Sequence, residues 1–263
     1  MRSITVFTSN QPRHLGLVIE LSKVYEKVYA IIECNTVRPG EVKDFFDKSE
    51  IMKSYFSQVM RSEREIFGEI SFLPKNVSPL ILKMGDLNKI HIDVISNSLN
   101  SENFVVFGSS FIKGDLIDFL VKKKCLNIHM GVSPYYRGTD CNFWALYDGN
   151  PHLVGATIHY ISEGLDSGPI LYHAICAYDK SDPFFFTMSS VKSAFFSLVE
   201  RVKNQSIFTY GPILQDKSHE IRYSKRIDFN DQVIKNFLNK KIDLQSKKFD
   251  LNLLKDPFVL NSI

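Results

Sequence analysis

Apolar and polar positions along this chain fall into blocks, and the period within each block predicts its element. Residues 4–8 are apolar or β-branched and predict a strand. Ser9-Asn10-Gln11-Pro12 then turns the chain into a helix over residues 13–24. Residues 27–33 predict a second strand, and the charged, amphipathic stretch 39–69 predicts a helix broken at least once. A helix over 90–97, a strand over 104–107, a helix over 112–123 and a short buried strand over 125–128 follow. Beyond them, 154–161 and 170–176 predict two strands. Ser181-Asp182-Pro183 is a helix start, with a capping oxygen ahead of a first-turn proline, and that helix runs to about residue 203. Alternating strands and helices predict an α/β fold: a Rossmann-like, mostly parallel sheet whose ligands gather beyond the carboxyl ends of the strands.

The texture changes at residue 205. Short apolar pieces over 207–214, a polar strand-like piece over 221–227 and a helix over 231–238 predict a small carboxyl-terminal module. The expected division is a catalytic domain over 1–204 and that module over 205–263. Neither internal repeats nor low-complexity segments interrupt the pattern.

Composition narrows the class. The 263 residues are 44% hydrophobic, enough for a substantial core, and the formal charge of +3 gives no strong pull toward nucleic acid or membrane. Cys34, Cys125, Cys141 and Cys176 are scattered without a Cys-x-x-Cys pair, the usage of reduced thiols in a cytoplasmic protein. The first residues read as a strand rather than a signal peptide, no stretch has the length of a membrane span, and no metal site is expected.

The chemistry concentrates between Asn127 and Ile170. Side chains two apart on a strand share a face, so Asn127 and His129 look into one cleft. An amide can stabilise negative charge growing on a carbonyl oxygen. An imidazole titrating near neutrality can do the same and move a proton, and Asp166 in Gly164-Leu165-Asp166-Ser167-Gly168-Pro169-Ile170 can orient it. Together they suit attack of an amine on an acyl carbon without a covalent enzyme intermediate; Gly-x-Ser-x-Gly is absent. Asn10, Arg13 and His14, at the first helix start, are candidates for holding a phosphate of the substrate. Tyr135, Arg137 and Trp144, around the Pro134-Tyr135-Tyr136-Arg137-Gly138 turn, are further candidates for substrate contact. The phenylalanines Phe184, Phe185 and Phe186 read as helix core. The Gly-x-Gly-x-x-Gly fingerprint is missing, which argues against a nicotinamide-dependent oxidoreductase.

Asn127-x-His129, Pro134-x-x-Arg137-Gly138, the strand Gly155-Ala156-Thr157-Ile158-His159-Tyr160 and Leu165-Asp166-x-Gly168-Pro169-Ile170, in this order, resemble the formyltransferases that use N10-formyltetrahydrofolate. The chain departs from many members in having Gly131-Val132-Ser133 after Met130, which bears on the shape of the neighbouring pocket. The resemblance implies Asn127, His129 and Asp166 as catalytic residues and N10-formyltetrahydrofolate as formyl donor. It also implies a folate pocket walled by Ser109, Ser110, Phe111 and Ile112 on one side and Ile161, Ser162, Glu163 and Gly164 on the other. A homodimer through the carboxyl-terminal module would follow the family too, with 207–214 as its apolar strand.

Three acceptors compete. A tRNA enzyme needs a sizeable basic carboxyl-terminal domain, whereas the lysines here are interleaved with Asp216, Asp228, Asp231, Asp243 and Asp250. A glycinamide ribonucleotide enzyme has a glycine-rich first turn, where this chain has Ser9-Asn10-Gln11-Pro12. The expectation is therefore a sugar N-formyltransferase acting on a nucleotide-linked amino-deoxy sugar for a surface polysaccharide such as O-antigen. A non-catalytic nucleotide-sugar-binding relative is the alternative of another class, and a formyltetrahydrofolate hydrolase a third reading.

Overall fold

The computed structural model describes residues 2–35, 48–177, 182–245 and 250–261. In chain order, β1 (Ser3–Ser9), α1 (Pro12–Ser22) and β2 (Lys27–Cys34) open the fold, followed by α2 (Glu50–Phe67), β3 (Val77–Lys83), α3 (Ser96–Leu99) and β4 (Asn103–Phe107). Next come α4 (Gly114–Lys122), β5 (Leu126–His129), β6 (Tyr136–Gly138), α5 (Cys141–Tyr147), β7 (Gly155–Tyr160) and β8 (Ile170–Cys176). The chain closes with α6 (Pro183–Lys203), β9 (Arg222–Ser224), α7 (Asp231–Asn239) and β10 (Phe258–Leu260).

Among the described residues the main sheet has the order β10-β8-β7-β5-β4-β1-β2-β3. All its pairings are parallel except those that β7 makes with β5 and β8. The expected mostly parallel α/β sheet is what forms. Alternation along each strand explains the layering. Ile4 and Val6 of β1, Val105 and Phe107 of β4, and Leu126 and Ile128 of β5 join the core under α1 and α6. Phe7, Phe104 and Val106 point to the opposite layer, with Leu116, Ile117 and Leu120 of α4. Asn127 and His129, out of phase with Leu126 and Ile128, are thereby kept off the α1/α6 side.

Helix boundaries follow local chemistry. Ser49 caps α2 by accepting from the Met52 amide at 3.2 Å, and α2 stops at Gly68, whose φ is 70°. Asp182 accepts from the Phe185 amide at 2.8 Å and Pro183 begins α6. Of the predicted helix over 39–69, residues 39–47 lie outside the described residues, as does Ser181 of the expected helix start. The expected helix at 90–97 is instead a 3-10 turn at Ile92–Ile95 running into the single turn of α3. Pattern reading passed over β3, which carries Pro79. A proline is tolerated there because β3 is an edge strand.

The tail beyond residue 204 is stitched to the body. β10 extends the main sheet beside β8, and β9 pairs with β6. Ile234, Phe237, Leu244 and Leu254 share one core with Tyr55, Phe143, Phe184 and Phe186. The stretch 207–214 makes a 3-10 turn, Ser206–Thr209, and a single antiparallel bridge from Ile213 to Ile170 rather than a strand. No helix among the described residues is long and apolar enough to cross a membrane.

Candidate active site

A cavity of about 540 Å³ opens at the carboxyl ends of β1, β4 and β5. Asn127, His129 and Asp166 all line it, and they are bonded to one another. The Nδ1–H of His129 donates to Asp166 Oδ2 at 3.1 Å, and Asn127 Nδ2 donates to Asp166 Oδ1, also at 3.1 Å. Asp166 reaches both from a left-handed backbone conformation, φ 45°. The loop can double back only because residue 168 is glycine: a Cβ there would stand 1.7 Å from the Tyr160 carbonyl oxygen.

His159, two positions along β7 from Thr157, completes the network. Its Nδ1 lies 2.8 Å from the Tyr160 carbonyl, which can only accept, so Nδ1 carries the proton and Nε2 accepts from Asn127 Nδ2 at 2.9 Å. Both amide hydrogens of Asn127 are thus engaged, one by His159 and one by Asp166. The amide cannot be turned over, because a carboxylate offers no hydrogen to an amide oxygen. In the sequence His159 is part of the Gly155–Tyr160 strand pattern, with no role of its own. The signal was there: a polar residue in phase with Thr157 on an otherwise apolar strand.

The electrostatics favour an imidazolium. Burial by itself would strip the proton from His129, but Asp166 and then Cys141 more than offset it, and the pKa of His129 lies well above the usual imidazole range. Burial would likewise raise the Asp166 pKa. The His129 charge and hydrogen bond, with His159 behind them, overcome that and hold the carboxyl well below its ordinary range. The other ring nitrogen, His129 Nε2, is buried and has no hydrogen-bond partner among the described residues. It lies beside Cys141 and Gly131, where an added Cβ on residue 131 would meet Nε2 at 2.8 Å and the Cys141 Cβ at 2.5 Å. Cys141, absent from the expected site, is a buried neighbour of the imidazole. Thr157 Oγ1 holds the turn that follows His129, donating to Gly131 O at 2.6 Å and accepting from the Ser133 amide at 2.8 Å.

Of the expected folate wall, Ser109, Ser110, Phe111, Ile112, Ile161, Ser162 and Gly164 line the cavity, while Glu163 is exposed and does not. One wall is pinned by a residue that sequence reading did not single out. The buried carboxylate of Glu33, at the end of β2, accepts from the Ser110 amide at 2.6 Å, Ser110 Oγ at 3.0 Å, and the Gly85 and Leu87 amides at 2.8 and 3.2 Å. Asn88 adds a bond to the Phe111 carbonyl at 2.9 Å and accepts from the Lys113 amide at 2.8 Å.

The expected substrate contacts divide. Arg13 and His14 line the cavity; Arg13 is also paired with Glu63 at 2.6 Å, and His14 Nδ1 is bonded to Ser9 Oγ. Asn10 does not line it; its side chain exchanges bonds with the Asn35 backbone. Tyr135, Arg137 and Trp144 do not line it either, because the tail claims them. Tyr135 donates to the Leu253 carbonyl, Arg137 pairs with Glu220 at 3.0 Å, and buried Trp144 lies under the Arg222 guanidinium, 4.4 Å from its ring centre. Arg222 is itself held by Asp148 at 2.7 and 2.9 Å. Neither Glu220 nor Arg222 could be placed there from local sequence.

Residues 92–189, which carry this network, match the family model described as Formyl transferase. This stretch is a formyl transferase domain. The chain as a whole is 26% identical, over 217 residues, to a methionyl-tRNA formyltransferase from Wigglesworthia glossinidia brevipalpis, covering 76% of this chain and 64% of the relative. A dTDP-4-amino-4,6-dideoxyglucose formyltransferase from Mycobacterium bovis is 41% identical over 59 residues, 22% of this chain and 24% of that protein. The chain therefore spans less than two thirds of the length of these curated relatives. Among solved structures, a sugar N-formyltransferase from Shewanella sp. superposes with a TM-score of 0.53 at 17% identity, covering 87% of this chain and 78% of the other. A glycinamide ribonucleotide transformylase from Symbiobacterium toebii gives 0.52 at 14% identity, covering 82% and 95%. At such identities the likeness is one of fold.

Proposed function

We propose that this chain transfers a formyl group from N10-formyltetrahydrofolate to the amine of a nucleotide-linked amino-deoxy sugar, with Asn127, His129 and Asp166 as the working residues. The observation that carries the reading is the buried His129 Nε2. Among the described residues it is left without a partner, on a ring whose other nitrogen is fixed by a carboxylate, inside a cavity roomy enough for a ligand of drug size. Such a ring presents an N–H where an oxyanion forms.

In the proposed reaction the neutral amine attacks the formyl carbon, forming a C–N bond. The carbonyl electron pair moves to oxygen, where the Nε2–H of protonated His129 stabilises it. Asp166, through water, receives the proton that the attacking nitrogen sheds. The tetrahedral centre collapses, its bond to the folate nitrogen breaks, and that nitrogen takes up the proton relayed through Asp166, leaving a formamide, tetrahydrofolate and the carboxylate restored. Asn127 first acts as a strut between His159 and Asp166; it reaches the oxyanion only by giving up one of those bonds. The cavity segments Ser109 to Ile112 and Ile161 to Gly164 would hold the folate, with Arg13 and His14 facing the acceptor.

The sugar acceptor draws its support from the relative and the solved structure named for sugar formylation, and from the interleaved acidic residues of the tail, which suit tRNA poorly. The test is incubation of purified protein with N10-formyltetrahydrofolate and a panel of nucleotide-linked 3- and 4-amino sugars, methionyl-tRNA and glycinamide ribonucleotide, with mass readout. Formylation of a sugar supports the reading. Formylation of tRNA or the ribonucleotide alone overturns the acceptor, and folate turnover without any acceptor would instead make the protein a hydrolase.

A further inference from the structure

The loop that carries Asp166 is not self-supporting. Its aspartate sits at φ 45°, a left-handed conformation that costs a side-chain-bearing residue about 1 kcal/mol or more unless the surroundings impose it. Inside the loop, Ser162 Oγ and Ser167 Oγ are 3.0 Å apart, a contact between side chains that leaves the Asp166 carbonyl unserved. The hydrogen-bond donor to that carbonyl comes from far away in sequence. Gln215 Nε2 donates to the Asp166 carbonyl at 2.8 Å and to the Gly168 carbonyl at 2.9 Å, so one amide spans both sides of the turn. The segment bearing Gln215 is itself docked on the strand that follows the loop. The Ile170 amide donates to the Ile213 carbonyl at 2.7 Å, and the Ile213 amide returns a bond to Ile170 at 2.9 Å.

The other end of the same side chain adds an independent observation. Gln215 Oε1 is buried and has no hydrogen-bond partner among the described residues. A buried amide oxygen left unpaired costs about 1–3 kcal/mol, so nothing in packing alone would favour a glutamine here. Its two donated bonds are what the position retains.

We infer that Gln215 is a positioning residue for the reaction: a clamp from the tail that sets the backbone of the Asp166 loop and thereby the 3.1 Å contact between Asp166 and His129. The inference rests on reading His129 and Asp166 as the working pair. It also gives the tail a role in the chemistry, since the clamp reaches the site without touching substrate. Removing its hydrogens frees the loop to retract the carboxylate, and the imidazole then loses the charge that keeps it protonated. Cys141 on α5 and His159 on β7, which also face the network, stay where they are.

The test is a titration of the histidine ring nitrogens by NMR on the full chain, comparing wild type with Gln215→Met, which keeps the volume and loses both donors. His129→Ala identifies the resonance, and thermal melts report folding. In the wild type His129 holds its proton well above the usual range. In Gln215→Met its midpoint falls by about one pH unit, a tenfold loss of proton affinity, at the lower end of what a neighbouring carboxylate supplies. The His173 resonance, whose ring is bonded to Ser133 and Lys255 rather than to the loop, does not move. Should Gln215→Met fail to fold, Gln215→Asn, one methylene too short to span both carbonyls, gives the same comparison. A folded variant whose His129 titrates as in the wild type overturns the inference. Because no acceptor is used, this outcome is independent of whether the wild type formylates a sugar, which the panel assay decides separately.

Discussion

Acidification should loosen this fold through one buried residue, His173. Its Nε2–H donates to the Ser133 carbonyl at 2.8 Å, and its Nδ1 accepts from the Lys255 amide at 2.8 Å. A ring that donates through one nitrogen and accepts through the other must be neutral. Burial pushes its pKa down to about 4 from the ordinary 6.5, although the bond to Ser133 pulls the other way. The unfolded chain takes up a proton near pH 6.5 that the folded chain refuses until about 4, so stability is full above 6.5 and falls as the pH drops through that window. For those two values the loss at pH 5 is about 2 kcal/mol, approaching about 3 kcal/mol once the folded ring titrates. The assay is urea unfolding of wild type and His173→Gln at pH 7 and pH 5. Glutamine keeps a donor and an acceptor and cannot titrate, so other acid-sensitive groups cancel in the comparison. The wild type should lose about 2 kcal/mol more than the variant between the two pH values. Equal losses would show that His173 does not set the acid sensitivity of the fold. The consequence reaches the site, because His173 ties the turn after His129 to Lys255 in the tail segment that leads into β10.

Other perturbations separate the roles of neighbouring groups. His129→Ala or Asp166→Asn should cost about 10²–10⁴ in turnover while folate binding, followed by fluorescence, is retained; near-normal rates would remove these residues from the mechanism. Glu33→Gln replaces a charged acceptor of four bonds by an amide that must turn its NH2 toward some of the same donors. It should raise the KM for the formyl donor with kcat preserved, and unchanged KM would show that the Ser110 wall holds itself. Asp182→Ala removes the α6 cap and should lower stability by about 1 kcal/mol in thermal unfolding without altering catalysis.

Much of this could be read from local sequence because it is set by local physics. The period-two alternation through Asn127 and His129 requires only that residues around 126–129 form a strand, and their buried neighbours Leu126 and Ile128 make that unambiguous. The Asp182-Pro183 start of α6 is equally local. What could not be read depends on partners distant in the chain. Trp144 looked like a ligand contact until Arg222, seventy-eight positions away, stacked on it. Arg137 likewise answers to Glu220. Pro79 hid an edge strand, whose existence depends on β2 lying alongside. Glu33 read as one more residue of a strand, and only the turn at Gly85 and the Ser110 segment folding over it reveal a clamp. His159 was visible but uninterpretable until Asn127 was seen to donate to it.

Mass spectrometry of the reaction with N10-formyltetrahydrofolate is the decisive experiment for formyl transfer to an amine on a nucleotide-linked sugar. One amino sugar of the panel should gain a single formyl group, with equimolar tetrahydrofolate formed and with His129→Ala silent. Intact sugars and intact donor would rule out that transfer, and formyl transfer that persists in His129→Ala would remove His129 from it.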